Sequence, residues 1–300
     1  MSSIVQKLTK KGLAVPPDEI VSNSMYEVIT GSVSYGVSSD TSDMDVVGFY
    51  MPRLDIMFPH LKGEIAGFGK ESHWKPTKPW QKHHIKDESD GKEYDLTMYS
   101  ITRFFQLAME NNPNMIDYLF VPYNCILHNT QVGQMIREKR HIFLHRGCFH
   151  KFAGYAHAQL KKLKDKKRTK ESKRHVIIEE HGYDTKFSYH LYRLLDEVEQ
   201  ILTTGDLNLQ RGKEVMKEIR RGEWEMERFE IYFSEREKYL QKVYDECTIL
   251  PYGPREDEIK QLLLDCLEHH YGSLEKVVYV PDKMENALRQ IAEITNKVLG

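Results

Sequence analysis

Two patterns of apolar and polar positions divide the chain. Met25-Tyr26-Glu27-Val28-Ile29 is apolar and aromatic enough for a strand. Asp43-Met44-Asp45-Val46-Val47-Gly48-Phe49-Tyr50 predicts a second, and Glu93-Tyr94-Asp95-Leu96-Thr97-Met98-Tyr99 alternates as a third. Ser100 is placed to cap a helix through Ile101, Phe104, Phe105, Leu107 and Ala108; Asn112-Pro113 ends it and opens the next turn. From Thr130 onward the apolar spacing becomes three and four, as in Phe149, Phe152, Ala153, Ala156 and Leu160, and again in Ala287, Leu288, Ile291 and Val298. Asp184 can cap a helix running through Leu195 to about Leu202, and Pro254 and Pro281 mark helix starts. The pattern predicts an α+β chain, with a strand-bearing domain over residues 1–125 followed by an α-helical bundle over 126–300. Residues 62–91, rich in Gly, Lys, His and Pro and holding Trp74 and Trp80, are expected as a long insertion between strands.

A length of 300 residues suits about two domains. Lys and Arg number 43 against 45 Asp and Glu, a net charge of −2, so any nucleic-acid contact has to come from a local patch. The first residues lack the apolar core of a signal peptide, and no apolar run approaches the ~20 residues of a membrane span. Cys125, Cys148, Cys247 and Cys266 are scattered without a Cys-x-x-Cys pair and read as reduced thiols. A cytoplasmic protein with no membrane partner is the expectation; the sequence leaves its oligomeric state open.

The chemistry concentrates between Thr30 and Asp45. Gly31 ends the first strand, where a side chain would block close backbone approach. Ser32 offers a hydroxyl and an N–H, and a helical turn over Val33–Val37 would aim further free N–H groups beside it, a phosphate site. Ser34 and Ser42 are placed to assist. Asp43 and Asp45 stand at i and i+2 on the second strand, so both carboxylates share a face, with Cα atoms roughly 6–7 Å apart. That spacing suits a pair of hard cations, magnesium or manganese, which two-metal phosphoryl-transfer sites hold about 3.5–4 Å apart. Asp95 on the third strand is the choice for a third carboxylate and acceptor base, with Glu93 on the same face as its rival.

Further constellations lie in the second half. Lys186, His190 and Arg193 fall at i, i+4 and i+7, a cationic stripe suited to a triphosphate, and Tyr183 at the start of that helix could stack on a base. Nine of the fourteen residues from Lys161 to Arg174 are Lys or Arg; Lys162, Lys166, Lys167 and Arg168 are the candidate RNA contacts. Arg211, Lys213, Lys217, Arg220 and Arg221 form a weaker basic cluster. His141, His145, Cys148 and His150 have ligand-like spacing without a complete tetrahedral set.

Gly31-Ser32 with Asp43-x-Asp45 resembles the DNA polymerase β-like nucleotidyltransferase superfamily. Gly31-Ser32-Val33-Ser34-Tyr35-Gly36, Ser42-Asp43-Met44-Asp45, Asn112-Pro113-Asn114 with Leu119-Phe120, Phe152-x-Gly154-Tyr155-Ala156 with Gln159-Leu160, and His181-Gly182-Tyr183-Asp184-x-Lys186 with His190 and Arg193-Leu194-Leu195 narrow the resemblance. They are similar to the RNA repair pathway DNA polymerase β family, from about Tyr26 to about Trp224. The resemblance implies a polymerase β-like domain, a mixed sheet with flanking helices, and metal-dependent transfer of a nucleoside monophosphate from a triphosphate with release of pyrophosphate. Asp43, Asp45 and Asp95 would form the metal triad, and Gly31 and Ser32 the phosphate grip. The expected acceptor is an RNA end; a protein or small-molecule hydroxyl is the alternative, and a non-catalytic nucleotide or RNA sensor a third.

Overall fold

The computed structural model describes residues 3–38, 43–58, 78–164 and 175–273, with isolated positions at 291 and 295. Five strands form one sheet: β1 (Ser24–Ile29), β2 (Met44–Tyr50), β3 (Trp80–Asp87), β4 (Lys92–Ser100) and β5 (Ile126–Asn129), in the order β3-β4-β2-β1-β5. Only the β2–β4 pair is parallel. Strands β1, β2 and β4 form where the alternation placed them. Residues 80–91, expected within an insertion, instead form β3 and its tight turn into β4, closed by Gly91 at φ +69°. Trp74 and the rest of 62–77 lie outside the described residues.

Each face of the sheet is covered by a different part of the chain. Helices α1 (Ile4–Lys10) and α2 (Asp18–Ser22) cover one face, where Val5, Leu8 and Ile20 pack with Val46, Ile85, Leu96 and Met98. Buried Glu27 on β1 fixes α1: its carboxylate accepts from the Ser3 and Ser24 hydroxyls and, at 2.7 Å, from the Ile4 N–H at the helix N-terminus. The short α3 (Leu54–Met57) follows β2, and the opposite face packs on α4 (Ile101–Met109), α5 (Pro113–Phe120) and α6 (Gln131–Glu138). Ser100, the cap the sequence marks, accepts from Arg103 N–H at 3.3 Å, and Asn112 caps α5 by accepting from Asn114 N–H at 3.1 Å.

Further helices follow: α7 (Cys148–Lys164), α8 (His175–His181), α9 (Thr185–Thr204), α10 (Lys213–Arg220), α11 (Met226–Glu246) and α12 (Glu256–Tyr271). Helix α9 is their axis: α7, α10 and α11 pack around it, while α12 returns to α4 and α6. Asp184 caps α9 through Lys186 N–H at 2.9 Å, and Gly205 ends it at φ +67°. The boundary expected at 125 cuts a continuous structure. Strand β5 begins at Ile126 and pairs with β1, and one hydrophobic core runs from Tyr26 and Phe49 through Phe104 to Leu194 and Phe229. The helix expected over Ala287–Val298 lies outside the described residues except for Ile291 and Thr295.

Candidate active site

Gly31 and Asp45 are in close apposition. Gly31 has φ +67°, and a Cβ built there would stand 2.5 Å from Asp45 Oδ2. The Thr30 N–H donates to the Asp45 carbonyl at 2.8 Å, extending the β1–β2 pair to the point where the chain turns. Beyond it the backbone makes the expected helical turn: Tyr35 N–H donates to Gly31 O at 3.3 Å and Val37 N–H to Ser32 O at 2.9 Å. The N–H groups of Ser32, Val33 and Ser34 take no part in those bonds, and Ser32 stays half-exposed beside them. Ser34 is different. It is wholly buried, and its hydroxyl donates to Gly31 O at 2.9 Å, so it closes the turn rather than facing a phosphate. Ser42 lies outside the described residues.

Parallel pairing sets Asp45 directly opposite Asp95, with Asp43 exposed just before β2. Burial pushes the Asp45 carboxyl above its ordinary value; the Lys186 charge opposes that rise, Asp95 and Asp43 add to it, and His83 again opposes. Three acidic groups and one lysine from α9 thus act on one another across the end of β2. Hard oxygen donors in mutual repulsion fit magnesium or manganese. Among the described residues no three His, Cys, Asp or Glu side chains already converge as a ligand set.

Asp95 is held by β3. Lys82 pairs with Leu96 and Ile85 with Tyr94, so two residues, His83 and His84, oppose Asp95 alone, a β-bulge. The His84 N–H donates to Asp95 Oδ1 at 2.7 Å, and His83 Nδ1 lies 3.2 Å from Asp95 Oδ2. His84 itself has φ +58°, and its ring is tied to Glu93 at 2.6 Å. Glu93, the rival for the third carboxylate, is therefore engaged by the bulge, while Asp95 is the one in register with Asp45.

The stripe on α9 divides. Lys186 is exposed and acts on Asp45. The half-buried His190 ring stands edge-on to Tyr35 in the turn, with centroids 6.5 Å apart. Arg193 is enclosed in a buried group of charged side chains. It is 5% exposed, donates to Asp117 on α5, lies 3.1 Å from Glu197, and has its guanidinium 4.6 Å from the Tyr35 ring centre. Tyr35 completes the group by donating to Asp117 at 2.7 Å. Tyr183 is buried too, edge-on to Phe229, and has no free face for a base. Both were expected at the nucleotide; both are instead packed in the core. Helix α9 is enclosed by neighbours on several sides, so its cationic stripe passes from solvent into protein along its length.

The remaining candidates resolve individually. Lys162 stands 5.5 Å from the Phe187 ring centre; Lys166, Lys167 and Arg168 lie outside the described residues. The weaker basic cluster is largely paired: Arg211 with Asp196 and Glu199, Lys217 with Glu214, and Arg221 with Glu223. Arg220 donates to Val37 O and Gln210 to Ser34 O at 3.2 Å, which braces the Gly31–Val37 turn from the far half of the chain. Sequence patterns carried no sign of these braces. His141 pairs with Asp206 and His145 with Met109 O, each at 3.0 Å. The four cysteines are buried and unpaired, and among the described residues no helix is long and apolar enough to cross a membrane.

A five-stranded mixed sheet with flanking helices, carrying Gly31-Ser32 at the end of one strand and Asp45 opposite Asp95 on the next two, defines the polymerase β-like class. The model of the RNA repair pathway DNA polymerase β family matches residues 14–229, and the chain belongs to that family. No curated protein matches the chain. The family carries with it nucleotidyl transfer and RNA repair as the general area of function.

Proposed function

We propose that the protein is a metal-dependent nucleotidyltransferase that transfers a nucleoside monophosphate from a nucleoside triphosphate to the hydroxyl of an RNA end. The observation that carries this reading is the placement of Asp45 against Gly31 on one side and in register with Asp95 on the other. The free N–H groups of the turn and the Ser32 hydroxyl bind the β- and γ-phosphates, and Lys186 neutralises part of their charge. When bound, two magnesium or manganese ions held by Asp43, Asp45 and Asp95 supply charge neutralisation on the phosphate oxygens and acidify the acceptor hydroxyl. Asp95 orients that hydroxyl and receives its proton. The acceptor oxygen bonds to the α-phosphorus, the bond from the α-phosphorus to the bridging oxygen breaks, and pyrophosphate leaves. RNA is preferred as acceptor on the family assignment and on the basic run that includes Lys162, Lys166, Lys167 and Arg168.

The test is transfer of label from each α-³²P nucleoside triphosphate, with magnesium or manganese, into an RNA pool, the protein itself and a lysate, against the D43N/D45N double variant. Label entering RNA with wild type only supports the reading, and the best triphosphate names the base. Label entering protein would move the acceptor to a protein hydroxyl. Nucleotide binding with no transfer anywhere would leave a sensor and overturn the reading.

A further inference from the structure

We propose that the bulge at His83–His84 is a positioning device for Asp95, and that it, rather than the cation, sets the direction in which that carboxylate points. The inference rests on the two-ion reading above. Each oxygen of Asp95 has its own partner on β3: the His84 N–H holds Oδ1 at 2.7 Å, and the His83 ring stands 3.2 Å from Oδ2. A regular ladder would set His83 alone opposite Asp95; the extra residue is what brings the His84 N–H to the carboxylate as well. The extra residue arises because Lys82 pairs with Leu96 while Ile85 pairs with Tyr94. A bulge bends its strand and re-aims side chains, and bulges gather beside active sites.

The local backbone supports a functional origin. His84 takes φ +58°, a conformation that a residue with a side chain rarely adopts. A glycine there would avoid the strain. Histidine stands there instead, its ring 2.6 Å from Glu93 and its N–H on Asp95. The bulge also turns Trp80 and Ile85, five residues apart, to the same apolar face, while Lys82, His83, His84 and Lys86 stay exposed. A carboxylate held this way keeps its remaining lone pairs for a cation and enters the bound state with little reorientation to make. His83 and His84 are thus positioning residues that act through Asp95, and their effect falls on the cation that Asp95 holds with the acceptor.

Manganese binding, read by the electron paramagnetic resonance of free Mn²⁺ with the four non-hydrolysable α,β-imido nucleoside triphosphates present, tests this without turnover. Wild type is expected to take two ions per chain. H83A is expected to weaken the second ion about tenfold or more and leave the first unchanged. H83N, which restores an N–H donor to Asp95, is expected to recover most of the loss; deleting His84 should reproduce or exceed it; K82A should match wild type. A second-ion affinity in H83A within about threefold of wild type overturns the inference, as does parallel loss of both ions, which would mean general damage to the fold. Fewer than two ions on wild type overturns the two-ion reading and the bulge inference with it, and shows before any variant is compared.

Discussion

Arg193 of α9 and Asp117 of α5 form an ion pair in a place water does not reach, the arginine 5% exposed and the aspartate 0%. Tyr35 and Glu197 complete the group. The Gly31–Val37 turn, α5 and α9 are thereby held together by charge as well as by packing. Removing one partner of such a pair leaves the other uncompensated. R193M is expected to cost about 3–5 kcal/mol, measured by urea unfolding. A loss below about 1 kcal/mol would show that the pair contributes no more than a surface contact.

Glu197 makes the same group sensitive to pH. Burial holds its carboxyl well above the ordinary value of 4.5, with Arg193 opposing and Asp117 adding to the rise. Between that ordinary value and the raised native one, the unfolded chain has released this proton and the native chain keeps it. Stability contributed here is therefore full below pH 4.5 and falls as pH rises toward the native value. E197Q removes the titration. Its stability relative to wild type should increase as pH rises above 4.5 in thermal or urea unfolding, and a pH-independent difference would contradict the assignment.

A second pH dependence of opposite sign ties α1 to the β3–β4 hairpin. Lys11 lies 2.6 Å from Asp87, and Lys7 lies 2.7 Å from Asp90. Hydrogen bonds from Lys11 and from Ser89 hold the Asp87 carboxyl well below its ordinary value of 3.8. Its contribution is present above that value and is lost as pH falls below it. D87N should destabilise at pH 7 and converge on wild type in acid, with faster amide exchange in α1; equal exchange in the two proteins at pH 7 would remove the clamp.

Gly31 allows one simple substitution with two physical effects. G31A adds a methyl group 2.5 Å from Asp45 Oδ2 at a position with φ +67°. The backbone strain costs about 1–2 kcal/mol. Displacing the carboxylate by about 1 Å should cost about a hundredfold in nucleotidyl transfer. G31A with wild-type transfer rates would sink the assignment of this junction as the reactive one.

RNA affinity offers an independent check on the basic run. Replacing Lys162, Lys166, Lys167 and Arg168 together by alanine should lower the slope of log affinity against log salt by about 3 for a single strand, and weaken all sequences alike. An unchanged slope would place the RNA elsewhere.

Much of this was readable from short patterns because short patterns reflect local physics. A strand ending in Gly31-Ser32 and followed by Asp43 and Asp45 needs only period-two geometry, and the caps at Ser100 and Asp184 need only a free N–H three residues on or nearer. What stayed hidden depends on pairing between distant segments. The bulge opposite Asp95 exists only once β3 has chosen its register, so His83 and His84 looked like part of a loop. Arg193 shares a helical face with Lys186 by spacing, yet burial of α9 among its neighbours turns it to Asp117. Ser34 carries the same hydroxyl as Ser32, and only the closure of the turn assigns it to Gly31 O.

The braces on the Gly31–Val37 turn also govern the order in which the protein is built. Gln210 and Arg220 supply hydrogen bonds to Ser34 O and Val37 O across 176 and 183 positions of sequence. A ribosome that has synthesised the strands and carboxylates has still made only an unfinished site. The nascent chain cannot secure its Gly31–Val37 turn until residue 220 has left the exit tunnel, so a truncated translation product keeps the acidic residues without the braced loop beside them.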